Sequence, residues 1–233
     1  MRSSLLRRSS AFLAILPMLF AAPVLAAERR FPVGTFGEVV LSGSPDVVVT
    51  TGAAHSVRAQ GAEADLDRLD IRLEGNRLII ATKSGSGNWS MREGVTVRVS
   101  APNLSGASIS GSGDMQVGAV KGDFAARISG SGDMQVAAVD APTLALSTSG
   151  SGDMMIGGGR CGAGTISTTG SGDVDAARVR CETLTVSTTG SGDVAAQATG
   201  TATLRTTGSG DIRVTGGARC STRSSGSGNT ACS

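Results

Sequence analysis

Gly170-Ser171-Gly172-Asp173 is one of six Gly-Ser-Gly-Asp tetrapeptides, which open at Gly111, Gly130, Gly150, Gly170, Gly190 and Gly208, with a Gly-Ser-Gly-Asn echo at Gly226. Successive openings lie 19, 20, 20, 20, 18 and 18 residues apart. That period is too short for a repeated helix pair and fits one turn of a β-solenoid per motif. No Lys follows the glycines, as a phosphate-binding loop would require. The sequence on either side keeps the period of two expected of half-buried strands. Counting back from the motif, the apolar residues are Phe124, Ala126 and Ile128, then Leu144 and Leu146, then Leu184 and Val186. Counting forward they are Met115 and Val117, Met134 and Val136, Met154 and Ile156, Ile212 and Val214. One parity runs through all of them, so the inward column is predicted directly.

The same parity turns both motif glycines inward and the Ser and Asp outward, provided the chain stays extended. A glycine at positive φ, turning a corner, would redirect the Asp. Stacked rungs place equivalent side chains about 4.8 Å apart. The expected ladders are Ser112, Ser131, Ser151, Ser171, Ser191 and Ser209, and Asp114, Asp133, Asp153, Asp173, Asp193 and Asp211.

Ahead of the repeat the pattern is less regular. Arg2, Arg7 and Arg8 precede an apolar stretch from Ala11 to Ala22, and small residues up to Ala27 complete a secretory signal, expected to span 1–26. Residues 27–233 then form one domain, with 27–103 as an irregular β-rich cap and 104–233 as the repeat rungs. Gly43-Ser44-Pro45-Asp46 reads as a degenerate first motif, and Gly75-Asn76 as the turn of a hairpin between Leu69–Glu74 and Arg77–Thr82. Ala62–Leu69 reads as a helical turn, Lys83–Trp89 as a polar loop and Val95–Val99 as a further strand. No segment after the leader is apolar enough to span a membrane as a helix.

Removing the three leader arginines leaves 18 basic against 19 acidic residues, a net charge of −1. Nucleic acid, which demands a basic footprint, is therefore not an expected partner. In an exported chain Cys161, Cys181, Cys220 and Cys232 read as disulfides rather than as a metal site. Three pairings are possible. The spacing favours Cys161 with Cys181, one repeat apart, and Cys220 with Cys232, which bracket the last motif. Arg160, Arg180 and Arg219 each precede a cysteine and read as a solvated edge, or else as a polyanion-binding stripe.

No catalytic residues are assigned. His55 is the sole histidine, without an evident nucleophile, and reads as a solvated loop residue. Asp123, Asp140 and Asp175, the acids a polysaccharide-active β-helix enzyme would need, each stand alone in their repeats. The Asp ladder has three readings. Asp after Gly bonds backbone amides in a recurring turn. It also suits calcium, though the double glycine and second copy of a calcium-binding β-roll are missing. As a third reading, stacked carboxylates and hydroxyls bind a glycan or another protein. No cofactor is expected on the first and third readings, and no metal ligand is assigned.

The leader, the Gly43–Val49 stretch, the Gly75–Ile80 hairpin, the Val95–Pro102 strand and the Gly-Ser-Gly-Asp array together resemble the auto-transporter adhesin head domain family, also called the GIN domain. The resemblance covers essentially the whole mature chain. It implies an all-β, right-handed parallel β-helix with 18–20-residue rungs, in the envelope of a Gram-negative bacterium. The role expected of the chain is structural or adhesive binding at the envelope, in the periplasm or on the outer surface, with an envelope glycan or surface protein as partner and without catalysis; the alternatives are a calcium-stabilised or glycan-binding module and a polysaccharide-active β-helix enzyme. The family brings no established catalytic residues.

Overall fold

The computed structural model describes residues 27–83 and 94–233, so the leader and most of the Lys83–Trp89 loop lie outside the described residues. Among the described residues eighteen strands and one short helix follow in order. They are β1 (Ala27–Phe31), β2 (Glu38–Gly43), β3 (Asp46–Thr51), β4 (Ser56–Gly61), α1 (Glu63–Leu66), β5 (Leu69–Glu74), β6 (Arg77–Thr82) and β7 (Thr96–Ala101). The repeat supplies β8 (Gly106–Gly111), β9 (Met115–Lys121), β10 (Phe124–Gly130), β11 (Met134–Gly150), β12 (Met154–Ile156) and β13 (Gly159–Gly170). It ends with β14 (Val174–Gly190), β15 (Val194–Gly208), β16 (Ile212–Thr215), β17 (Arg219–Gly226) and β18 (Thr230–Cys232). The architecture is a parallel β-solenoid of about 6 turns. No helix among the described residues is long and apolar enough to cross a membrane.

Each motif is a corner between two strand stacks. Ahead of it, residues of successive rungs pair in unbroken register, as in Leu144 with Gly164, Leu184 and Ala202. After it, Met115, Met134, Met154, Val174, Val194 and Ile212 form one column. Every apolar residue of the predicted inward column is buried, and together they form one continuous core.

The stack does not follow chain order at its start. The rung β2–β3 pairs on one side with β6 and β7 and on the other with β8 and β9. Gly43 pairs with Gly111, so the degenerate motif is a true rung, lodged second from the end. Antiparallel strands cover that end: β5 folds back on β6, β4 lies on β7, and β1 lies on β4. Antiparallel addition is the natural stop, because a parallel stack otherwise leaves an open edge and an open core. At the other end, inward Thr222, Ser224 and Thr230 replace Leu204, Thr206 and Ile212 of the rung beneath. The exposed end of the column thus turns polar.

Inside the upstream stack, the position two residues before the motif holds Ile109 and Ile128, then Thr148, Thr168, Thr188 and Thr206, all buried. A β-branched side chain fits because the second motif glycine of the following rung leaves room: Thr168 Cγ2 would lie 3.0 Å from a Cβ built on Gly192. The hydroxyls of Thr148, Thr168 and Thr188 are buried without a hydrogen-bond partner. A buried unsatisfied hydroxyl costs about 1–3 kcal/mol. Thr168→Val is therefore expected to raise the urea midpoint, by about 1 kcal/mol in stability. A lowered midpoint would mean that the hydroxyl holds a bond in the folded chain.

Candidate functional site

The corner geometry explains the motif residue by residue. The first glycine has positive φ, between 116° and 139° from Gly111 to Gly208, and its carbonyl accepts two amides from the next rung. Ser171 N and Gly172 N, for example, donate to Gly150 O at 2.9 and 3.1 Å. A Cβ on the second glycine would approach the equivalent carbonyl of the previous rung to about 2.1–2.2 Å from Gly113 to Gly228. The corner and the outward Asp coexist, which the extended-chain condition did not anticipate. The second glycine is buried and the first half-buried, while Ser and Asp are exposed in all six copies.

Each Asp closes the corner by reaching along the solenoid axis. Asp114 Oδ1 accepts the amide of Asp133 at 2.9 Å, Asp133 that of Asp153 at 2.8 Å, and Asp153 that of Asp173 at 2.8 Å. Asp173, Asp193 and Asp211 accept from Asp193, Asp211 and Asn229 at 2.7 Å each. Asp46 begins the series by accepting from Asp114 at 3.2 Å. One oxygen of every ladder carboxylate therefore bonds a backbone amide, which offsets the repulsion of like charges about 4.8 Å apart. The backbone carbonyl of the same Asp accepts the first amide of the strand that follows the previous rung's motif, as in Met134 N to Asp153 O at 2.9 Å. Ser112, Ser131, Ser151, Ser171, Ser191 and Ser209 stand exposed beside the carboxylates. Among the described residues no three His, Cys, Asp or Glu side chains converge in a metal-binding geometry.

Beside the ladder run two shallow depressions. One, of about 270 Å³, lies between Asp133, Asp153, Asp173, Gln135, Met155 and Asp175. The second, of about 400 Å³, continues past Asp193 and Asp211 to Arg213. Met155 is 46 % exposed.

The acids outside the ladder are occupied structurally. Asp123 Oδ1 accepts the amide and hydroxyl of Thr143 at 3.1 and 2.6 Å, and Asp175 accepts the amide of Ala177 at 3.0 Å. Asp140 receives two hydrogen bonds from Arg160, at 2.8 and 2.9 Å. Those bonds, with Arg160's charge and a smaller attraction from Lys121, hold the Asp140 carboxyl below the ordinary carboxylate value. The expected arginine edge is shorter than its sequence positions imply. Arg160 and Arg180 stack on neighbouring rungs, but Arg219 falls in the column of Thr201 and Thr183. A register shift in β14 beside Cys181 separates them. His55 lies in the loop between β3 and β4, as expected, but is half-buried there. Its Nε2 lies 3.0 Å from Phe36 O, and its ring meets Phe36 edge-on at 4.7 Å.

Disulfides join Cys161 to Cys181 and Cys220 to Cys232. The first links neighbouring rungs inside the core, with its cysteines 6 % and 3 % exposed. The second ties β17 to β18 within the terminal rung.

A surface that the ladder reading passed over precedes the corner. Three outward columns run along it: Thr165, Thr185, Thr203 and Ser221; Ser147, Ser167, Ser187, Arg205 and Arg223; and Ser149, Thr169, Thr189, Thr207 and Ser225. All but the half-buried Ser147 and Thr203 are exposed. The signal was present in the sequence, since these are the outward partners of Ile166, Val186 and Leu204.

The chain is similar to several solved structures. A putative adhesin from Bacteroides fragilis shares 19 % identity, with 89 % of this chain and 97 % of that one covered, at a TM-score of 0.82. A putative lipid binding protein from Parabacteroides distasonis shares 21 % identity over 91 % and 98 % of the two chains, at a TM-score of 0.70. A putative adhesin from Parabacteroides merdae shares 16 % identity over 91 % and 97 %, at 0.67. No curated protein matches the chain. Residues 35–218, from the start of the first rung to the turn before β17, match the model of the family described as "Putative auto-transporter adhesin, head GIN domain", and the chain belongs to that family.

Proposed function

We propose that this protein is a non-catalytic adhesive binding module of the Gram-negative cell envelope, and that its partner is an envelope glycan. The carrying observation is the hydroxyl surface of β13 and β14, where three parallel columns of Ser and Thr stand on a hydrogen-bonded stack and extend in part onto β11 and β15, with Arg205 continuing the middle column. Columns repeat about 4.8 Å apart across strands and about 6.7 Å apart along them. A polymer with repeating hydroxyls meets such a surface without ordering it, because the backbone ladder already holds each side chain in place. The ladder of Asp133, Asp153 and Asp173 borders this surface at the corner, and the free carboxylate oxygens supply acceptors. Family membership and two disulfides, which persist in oxidising compartments, support an extracytoplasmic setting.

Retention of the purified protein on envelope polysaccharide tests the reading. Thr185→Val with Thr189→Val is expected to weaken retention about tenfold, the loss of one to two hydrogen bonds' worth of affinity. Asp153→Asn with Asp173→Asn keeps the amide-accepting oxygens and tests the ladder separately. Unchanged retention in the Asn pair removes the ladder from the site, and unchanged retention in both pairs overturns the proposal. Turnover of polyuronates by the protein would overturn the non-catalytic reading.

A further inference from the structure

At the capped end, the topology brings together three arginines that are far apart in sequence. Arg30 on β1 pairs directly with Arg58 on β4, and Arg58 pairs directly with Arg98 on β7. All three are exposed and point outward. Like charges directly opposite on neighbouring strands destabilise a sheet. Here they occupy three successive strands, with guanidinium stems about 4.8 Å apart.

The described neighbours do not balance this charge. Glu28 Oε1 lies 3.7 Å from Arg30 Nε and 3.9 Å from Arg58 Nη1, too far for a hydrogen bond to either. Its other oxygen accepts from Gln60 Nε2 at 3.2 Å, and Gln60 Oε1 in turn lies 3.4 Å from Arg98 Nε. Among the described residues Glu28 is the one carboxylate within ion-pair distance of the row, reaching Arg30 and Arg58 directly and Arg98 only through Gln60. The next outward row on the far side from Glu28 is Ser56 opposite Ser100, two hydroxyl donors with no opposing charge. A depression of about 380 Å³ opens beside Arg30 and Arg58, and Ser56 also lines it.

We propose that the Arg30, Arg58 and Arg98 row is a binding site for a phosphate-class oxyanion. Guanidinium forks match tetrahedral oxyanions in shape and charge, and two forks one strand apart flank a single phosphate group. Ser56 and Ser100 supply the remaining donors. Bound phosphate converts the repulsion between neighbouring arginines into shared attraction, so the site stabilises the capped end when filled. The same chemistry is offered by free phosphate and by the headgroup of a phosphatidic acid.

Thermal melts in inorganic phosphate, against potassium chloride at equal ionic strength, and co-sedimentation with phosphatidylcholine vesicles containing phosphatidic acid test the site and separate the two sources. Wild-type protein is expected to gain about 3 °C in Tm at a phosphate concentration ten times Kd, or to sediment with the vesicles. Arg58→Gln and Arg98→Gln, both on exposed side chains, are expected to abolish the response. Without phosphate, Arg58→Gln should melt no lower than wild type, because it removes the central like charge. The site is overturned if wild type responds to neither probe beyond the chloride control, or if both variants keep the response.

Discussion

Gly170→Ala is expected to lower Tm by at least about 10 °C, while Gly94→Ala leaves it unchanged. Gly170 has φ +116°, and a Cβ there would lie 2.3 Å from Gly150 O and 3.1 Å from Gly150 N. The obstructing carbonyl cannot move aside cheaply, since it is the acceptor for both Ser171 N and Gly172 N. Relieving the clash breaks those bonds, and the strained φ adds about 1–3 kcal/mol. For a chain of this size each kcal/mol moves Tm by about 2–4 °C, so a combined loss of several kcal/mol gives the stated shift. Gly94 has open space around it and no positive φ. A melt of Gly170→Ala within about 2 °C of wild type would mean that the corner repacks freely and that the first glycine is not required there.

The two disulfides are expected to act on different scales. Cys161–Cys181 closes a 20-residue loop across two rungs in the core, and loop closure of that length contributes about 3 kcal/mol. Cys161→Ala with Cys181→Ala should therefore lower the Tm of the whole domain by about 6–12 °C. Cys220–Cys232 closes 12 residues within a terminal rung whose β17 is almost wholly exposed. Cys220→Ser with Cys232→Ser should strip hydrogen-exchange protection from residues 219–232 and leave the main melt within a few degrees of wild type. Equal losses from both pairs would show that the terminal rung unfolds together with the rest.

Much of the fold is legible because a solenoid repeats its local physics. The parity running from Phe124 to Ile128 and from Met134 to Val136 needs no long-range information, since each rung buries the same alternation as its neighbours. The hairpin at Gly75-Asn76 and the turn at α1 are local for the same reason. The site is less legible. The Asp ladder was placed on the outer face by parity, but its bond to the next rung's amide depends on the corner at the positive-φ glycine. The hydroxyl columns are readable as the outward partners of Ile166 and Val186, but alternation alone does not separate an outward Ser or Thr that forms a surface from one that is merely solvated.

The sequence by itself determined the rung, the inward column and the ladders, because spacing and alternation are properties of consecutive residues. Only the tertiary structure decided the order in which rungs stack and what closes the end. Threading β2–β3 between β6–β7 and β8–β9 needs contacts across tens of residues. The same threading sets β4 antiparallel on β7 and β1 antiparallel on β4, and so aligns Arg30, Arg58 and Arg98. Strand partners across a crossover are chosen by which edge and which buried face remain open. That choice is made by the assembled core and is not written in any short stretch of chain.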